Sequence, residues 1–124
     1  MASIVIIDDH HEMVDMLAEL LKLSGYSDIA TFTNQDEAEA YIHASSEPPV
    51  IITDYNMPGL TGPQLLIRIK KSHPDTQGLI ITSEPREASL DEDTKGFPIV
   101  DKNRFTFFDE INDLVRDFMN SKRR

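Results

Sequence analysis

Five side chains at the ends of short apolar runs carry the chemistry open to this sequence. Asp8 and Asp9 follow SIVII, Asp54 follows PVIIT, Thr82 closes GLIIT, and Lys102 comes directly after FPIVD. Carboxylates drawn together repel one another, and a hard divalent cation with oxygen ligands relieves the repulsion without protonating them. Magnesium suits such a set, with manganese as the near equivalent, because it binds through one or two carboxylates and keeps waters whose places phosphate oxygens can take. A carboxylate can also act as a nucleophile and form an aspartyl-phosphate, while a cation and an ammonium neutralise the phosphoryl charge. Asp54 is the residue placed for that attack, between the Asp8/Asp9 pair on one side and Thr82 and Lys102 on the other. Taken singly these residues are ordinary: capping or loop acids, a β-branched strand residue, a solvated lysine. Their joint position at the ends of apolar runs carries the reading.

For these groups to meet, the runs before them must lie side by side as strands. Residues 3–7, 29–32, 49–53, 78–82 and 97–101 are short and apolar, most of them rich in β-branched residues, as strands buried on both faces are. Between them, residues 11–24 place Met13, Leu17, Leu20 and Leu21 at helical spacing, with Met16 and Leu23 nearby, and Gly25 ends the segment. Residues 34–44 read as a short acidic helix with Ala38, Tyr41 and Ile42 inward and Thr33 or Asn34 as its cap. MPGLTG (57–62) is a turn-rich loop, and Pro63 sits in the first turn of a helix running to about Ser72. Residues 105–119 form a closing amphipathic helix with Phe108, Ile111, Leu114, Val115 and Phe118 inward. Residues 83–96 hold Pro85, many acids and only Ala88 and Leu90 as clearly apolar positions, so a short or mobile helix, or none, is expected there. Strand and helix alternating five times predict an α/β fold with a parallel sheet covered on both faces, in a single domain over residues 1–124. In such sheets ligands bind beyond the carboxyl ends of the strands, where the five side chains fall.

The composition narrows the function classes. The chain carries a net charge of −10, so binding of nucleic acid by the folded surface is not expected, and its one basic run is Lys122, Arg123 and Arg124. The absence of Cys excludes disulfides, thiolate zinc sites and cysteine nucleophiles. No apolar stretch is long enough for a membrane span and no secretory signal is visible, so a cytoplasmic location is the default expectation.

The order of these motifs resembles the receiver domain of two-component response regulators: Asp8-Asp9 after the first strand, Asp54-Tyr55-Asn56-Met57-Pro58 with Gly62 after the third, Thr82 after the fourth and Lys102 after the fifth. The likeness covers essentially the whole chain. It implies a flavodoxin-like, doubly wound five-stranded sheet of order 2-1-3-4-5, the order for which a chemotaxis receiver is a standard example, with about five helices. It also implies that Asp54 is the phosphoacceptor. Asp9 would bind the metal directly, Asp8 through a water, and Asn56 through its backbone carbonyl. Thr82 would turn its hydroxyl to the phosphate and Lys102 would pair with it. The donor would be a phosphohistidine on a sensor histidine kinase or a histidine phosphotransfer protein, with a downstream protein as the recipient of the signal. Asn56, Ser83 and Glu84 flank the pocket in that layout as possible modulators of phosphoryl lifetime.

The sequence departs from the family pattern at three places. Asn103 stands where Pro usually follows the Lys, Ile99 stands where an aromatic is frequent, and residues 83–96 are short and polar for a fourth helix. These departures also suit a pseudo-receiver that keeps the fold as a scaffold without switching. A phosphatase working through an aspartyl-phosphate is the more remote reading, because such enzymes place Asp-x-Asp after the first strand and carry a cap insertion. As a receiver, the chain is not an enzyme in its own right, beyond self-phosphorylation and slow self-hydrolysis. Of the remaining residues with chemistry, His10 and His11 follow the acid pair as candidate metal ligands or phosphate carriers but read more readily as the surface start of the first helix, His43 and His73 read as helix-end residues, and Met13, Met16 and Met119 as a core stripe.

Overall fold

The computed structural model describes residues 2–122. The basic end falls outside the described residues, apart from the Lys122 backbone that closes the last helix. Five strands, β1 (Ile4–Ile7), β2 (Ile29–Phe32), β3 (Val50–Asp54), β4 (Gln77–Thr82) and β5 (Ile99–Asp101), form one sheet in the order β2-β1-β3-β4-β5. Every pairing is parallel. The helices are α1 (His11–Leu23), α2 (Gln35–His43), α3 (Gly62–Ser72), α4 (Pro85–Leu90) and α5 (Phe107–Lys122), with a 3-10 turn at Glu92–Thr94. This is the flavodoxin-like order that the resemblance implied.

The apolar strands divide between two cores because successive side chains point to opposite faces. Ile4, Ile6, Ile52 and Ile81 pack with Leu17 and Leu21 of α1 and Ile111 and Val115 of α5. Val5, Ile7, Ile51 and Ile80 pack with Ile42 of α2 and Leu65, Leu66 and Ile69 of α3. With both faces covered, neither set of positions can be polar, which is why the strands read as continuous apolar runs. Local signals set the starts of α2 and α3. Asn34 Oδ1 accepts the Glu37 N–H at 3.1 Å at the start of α2. Thr61 and Gln64 form a capping box that begins α3 at Gly62.

Some boundaries and faces differ from expectation. In α1 the buried stripe is Val14, Leu17, Ala18 and Leu21, whereas Met16 is 43% exposed and does not belong to a core stripe. Both registers satisfy helical spacing; the helix turns small Ala18 and β-branched Val14 toward the sheet. The closing helix starts at Phe107, which is buried, and Phe105 is fully exposed in the preceding turn. Strand β5 begins at Ile99 rather than residue 97, although the Pro98 carbonyl already accepts the Ile80 N–H at 2.8 Å.

The segment around α4 is a short helix. A fully buried Ile, Leu or Phe contributes about 1.5–3 kcal/mol, but α4 buries only Ala88 and leaves Leu90 77% exposed. Polar clasps hold it instead. The Thr94 hydroxyl donates to the Ala88 carbonyl at 2.8 Å, and the Tyr55 hydroxyl donates to Asp91 Oδ2 at 2.7 Å. That bond, reinforced by burial of the ring, pushes the Tyr55 hydroxyl pKa up to about 12. Tyr55→Phe keeps the buried ring and removes the clasp. Amide exchange should accelerate across residues 85–94, while global stability falls by no more than about 1.5 kcal/mol, the range for one hydrogen bond. Unchanged protection in that segment would show that the clasp does not restrain it.

Candidate functional site

The sheet register brings the expected groups to one edge. Ile7 pairs with Thr53, so Asp8 and Asp54 leave adjacent strands at the same level, and Asp54 pairs with Ile81, one residue before Thr82. Thr82 pairs with Asp101, and the Lys102 N–H continues the ladder to the Thr82 carbonyl at 2.8 Å. Gly62 lets α3 start against this edge: a Cβ there would sit 2.2 Å from the Asp54 carbonyl oxygen.

Asp8 is fully buried and Asp54 is 6% exposed. Lys102 Nζ lies 2.9 Å from Asp8 Oδ2 and 3.0 Å from Asp54 Oδ1, so one ammonium bridges the two buried carboxylates. Burial pushes the Asp54 carboxyl upward in pKa, and Asp8 and Asp9 push the same way, while the bond from Lys102 pulls it down. For Lys102 burial acts downward, but the bonds to Asp8 and Asp54 outweigh it and the ammonium ends above its ordinary value. Asp9 completes the cluster from the exposed side. One ligand atom from each of Asp8, Asp9, His10 and Asp54 lies within 4.8 Å of the others. Three clustered carboxylate oxygens, two of them on buried residues with only one ammonium between them, fit a hard divalent cation.

His10, which the sequence offered as a metal ligand but more readily as a surface helix start, stands with the acid pair. It does start α1 as that helix's N-cap, as expected. Its Nδ1 also lies 3.1 Å from Asp8 Oδ1 and 3.3 Å from Asp9 Oδ1, and its backbone N–H donates to Asp8 Oδ1 at 3.0 Å. The hydrogen bond to Asp8, then the charge of Asp9, raises its pKa. Its position directly after the acid pair was the available signal.

Thr82 is 2% exposed, and its hydroxyl accepts the Glu84 N–H at 2.9 Å, closing its own loop. Asn56, Ser83 and Glu84 are exposed. Asn103 has a structural role: its side-chain amide donates to the Ser83 carbonyl at 3.0 Å, and its N–H donates to Asp101 Oδ1 at 2.9 Å. No cis peptide occurs among the described residues. Asn103 thus ties the loop after β5 to the loop after β4 with Lys102 seated on its two carboxylates. Two clefts of about 620 and 650 Å³ lie elsewhere, one bordered by Glu47, Thr76 and Gln77, the other by Ala2, Asp28 and Met119.

Known proteins share this fold. A receiver domain protein from Clostridium thermocellum superposes with a TM-score of 0.83 at 25% identity, over 99% of this chain and 98% of that one. The Thermotoga maritima response regulator TrrA, solved with Mg(2+)-BeF, superposes with a TM-score of 0.79 at 26% identity, over 95% and 99% of the two chains. In sequence, the chain is 26% identical over 90 residues to a CheY homolog of Campylobacter jejuni, covering 71% of this chain and 69% of that protein. It spans only 16% and 18% of the length of two Arabidopsis thaliana response regulators that it matches at 29% and 28% identity. The response regulator receiver domain family matches over residues 4–95, which holds the acidic cluster but stops short of Lys102. The structure supplies that last group directly after the fifth strand, against Asp54, and the chain belongs to the response regulator receiver domain family.

Proposed function

We propose that this chain is a phosphorylation-switched signalling domain of a two-component system, with Asp54 as the phosphoacceptor. The observation that supports this most directly is the Lys102 ammonium bridging Asp8 and Asp54 at a buried strand edge. A carboxylate oxygen of Asp54 attacks the phosphorus of a phosphohistidine on a sensor kinase or phosphotransfer protein. The new O–P bond forms as the N–P bond breaks, and the imidazole leaves with its electron pair. Asp8, Asp9, Asp54 and the Asn56 carbonyl would hold magnesium or manganese, which when bound neutralises charge on the transferring group. Lys102 keeps one carboxylate partner and turns a second bond to the phosphoryl oxygens. The Thr82 hydroxyl, lying at the same edge, exchanges the Glu84 N–H for a phosphate oxygen, and that exchange loosens the weakly anchored α4 segment. The chain's own chemistry is limited to acquiring and slowly losing the phosphoryl group, its location is cytoplasmic, and the signal passes to a partner protein.

Intact-mass measurement of the full chain after acetyl phosphate treatment tests this. One phosphoryl adduct should form with Mg2+ present and none with excess EDTA. An adduct that forms equally in EDTA, or no adduct at all with Mg2+, would sink the proposal; the second result would favour the non-switching scaffold.

A further inference from the structure

A second group of ligating side chains lies where α2 and α3 end. His43 is the last residue of α2, and His73 caps the C-terminus of α3. Strands β3 and β4 begin shortly after these helix ends, so the two imidazoles sit at the edge of the sheet opposite Asp54. His43 Nδ1 faces His73 Nε2 at 3.0 Å, and the rings lie 30° from coplanar with centroids 5.2 Å apart. Behind them, His43 Nε2 lies 3.5 Å from Glu39 Oε2. Glu39 in turn accepts hydrogen bonds from Nε and Nη2 of the Arg68 guanidinium.

These partners set the proton positions. A carboxylate accepts only, so Glu39 beside His43 Nε2 favours the proton on that nitrogen and the lone pair on Nδ1, which faces His73. His73 Nε2–H fills the gap between the rings. The pattern of a histidine with one nitrogen held by an anchored carboxylate and the other turned to a second histidine is the outer-shell arrangement of metal-binding histidines. Two nitrogens on a tetrahedral zinc at about 2.05 Å would stand about 3.3 Å apart, so the pair needs to open only slightly. His43 is also exposed enough for an ion to enter, at 40% of its side chain.

We propose that His43 and His73 form a second metal site for a borderline-soft divalent ion such as Zn2+, Ni2+ or Cu2+, with Glu39 and Arg68 positioning His43 and water completing the coordination. On binding, the His73 proton passes through solvent from Nε2 to Nδ1, so both rings stay neutral and both facing nitrogens become ligands. The site uses two imidazoles, which suit these ions, while the acidic edge offers three carboxylates beside the single imidazole of His10, a set weighted toward magnesium. An ion there would pin the ends of α2 and α3 together independently of Asp54.

The test uses the full chain at pH 7.5 with millimolar Mg2+ present to load the acidic edge. Zn2+ calorimetry should give saturable one-to-one binding, and Ni2+ should broaden amide signals around His43 and His73 first. His43→Gln and His73→Gln should each weaken Zn2+ binding at least tenfold with an unchanged circular dichroism spectrum. Glu39→Gln, which weakens the support of His43, should cost about 10- to 100-fold in affinity. Broadening confined to residues 8–10 and 54, or Zn2+ affinity unaltered in both Gln variants, would overturn the proposal.

Discussion

Asp54→Asn should unfold at a higher temperature than the parent chain in metal-free buffer at pH 7.5, while taking up no phosphoryl group from acetyl phosphate. Both outcomes have the same origin. The Asp54 carboxyl is 6% exposed, and burial, followed by the charges of Asp8 and Asp9, raises its pKa in the folded state. A group whose folded pKa lies above its unfolded value stabilises the fold below the unfolded value and loses that contribution as pH rises through the folded one. At pH 7.5 the ionised carboxylate is therefore a net burden on the metal-free fold. Asn keeps the shape and an oxygen for Lys102, removes the like-charge repulsion, and leaves Lys102 its bond to Asp8. The gain should be about 1 kcal/mol, or roughly 4 °C for a domain of this size. It should shrink as pH falls through the folded pKa of Asp54, where the parent carboxyl also becomes neutral. Thermal unfolding in EDTA at several pH values checks this; a variant less stable than the parent at pH 7.5 would contradict it. Added Mg2+ should narrow or reverse the order, because binding to the folded state stabilises the parent through its third carboxylate.

The opposite behaviour is expected of Lys102→Met. This change leaves Asp8, fully buried, and Asp54, nearly so, with no cation between them. Removing one partner of a fully buried ion pair costs about 3–5 kcal/mol, and the 15% exposure of the lysine side chain reduces this to about 2 kcal/mol in metal-free buffer at pH 7.5. The folded pKa of Lys102 is raised, so its contribution is fully present below the unfolded lysine value of about 10.4 and is lost only as pH rises through the folded value. The parent therefore has the whole of it at neutral pH. Two rescues should follow. Lowering the pH protonates the stranded carboxylates and closes the gap between variant and parent. Adding Mg2+ replaces the missing positive charge, and the variant should bind Mg2+ more tightly than the parent because no ammonium competes for the same oxygens. Phosphoryl uptake should still fall by about 10²-fold, the scale for removing one group that stabilises transition-state charge. Urea unfolding with and without Mg2+ reads the stability arm. A deficit of the same size in both conditions would show that the lysine acts through packing and not through its charge.

The fold was legible largely because its strands are short and buried on both faces. Runs such as residues 3–7 and 78–82 carry that burial as local composition, which needs no knowledge of neighbours. The strand order was not local and came from likeness to a family; the structure places the strands in that order. Helix faces were less legible where two registers both satisfy the 3.6 period. On α1 the fold buries Val14 and leaves Met16 43% exposed, a choice made by packing against the sheet and not by spacing.

Within the site, residue types and order along the chain were enough to single out Asp8, Asp9, Asp54 and Lys102, because the carboxyl ends of parallel strands meet at one edge whatever the details of packing. Contacts between loops were beyond sequence alone. The reach of Asn103 to Ser83, the clasp of Tyr55 on Asp91 and the facing rings of His43 and His73 join residues 20, 36 and 30 positions apart. Each depends on how two loops or helix ends approach in space, a quantity to which no local propensity responds. The sequence by itself determined which acids, hydroxyl and ammonium fall at the ends of the apolar runs. Only the tertiary structure decided that one ammonium would hold two of the acids, because that bond requires residues 8, 54 and 102 to be brought within 3 Å by three separate strands.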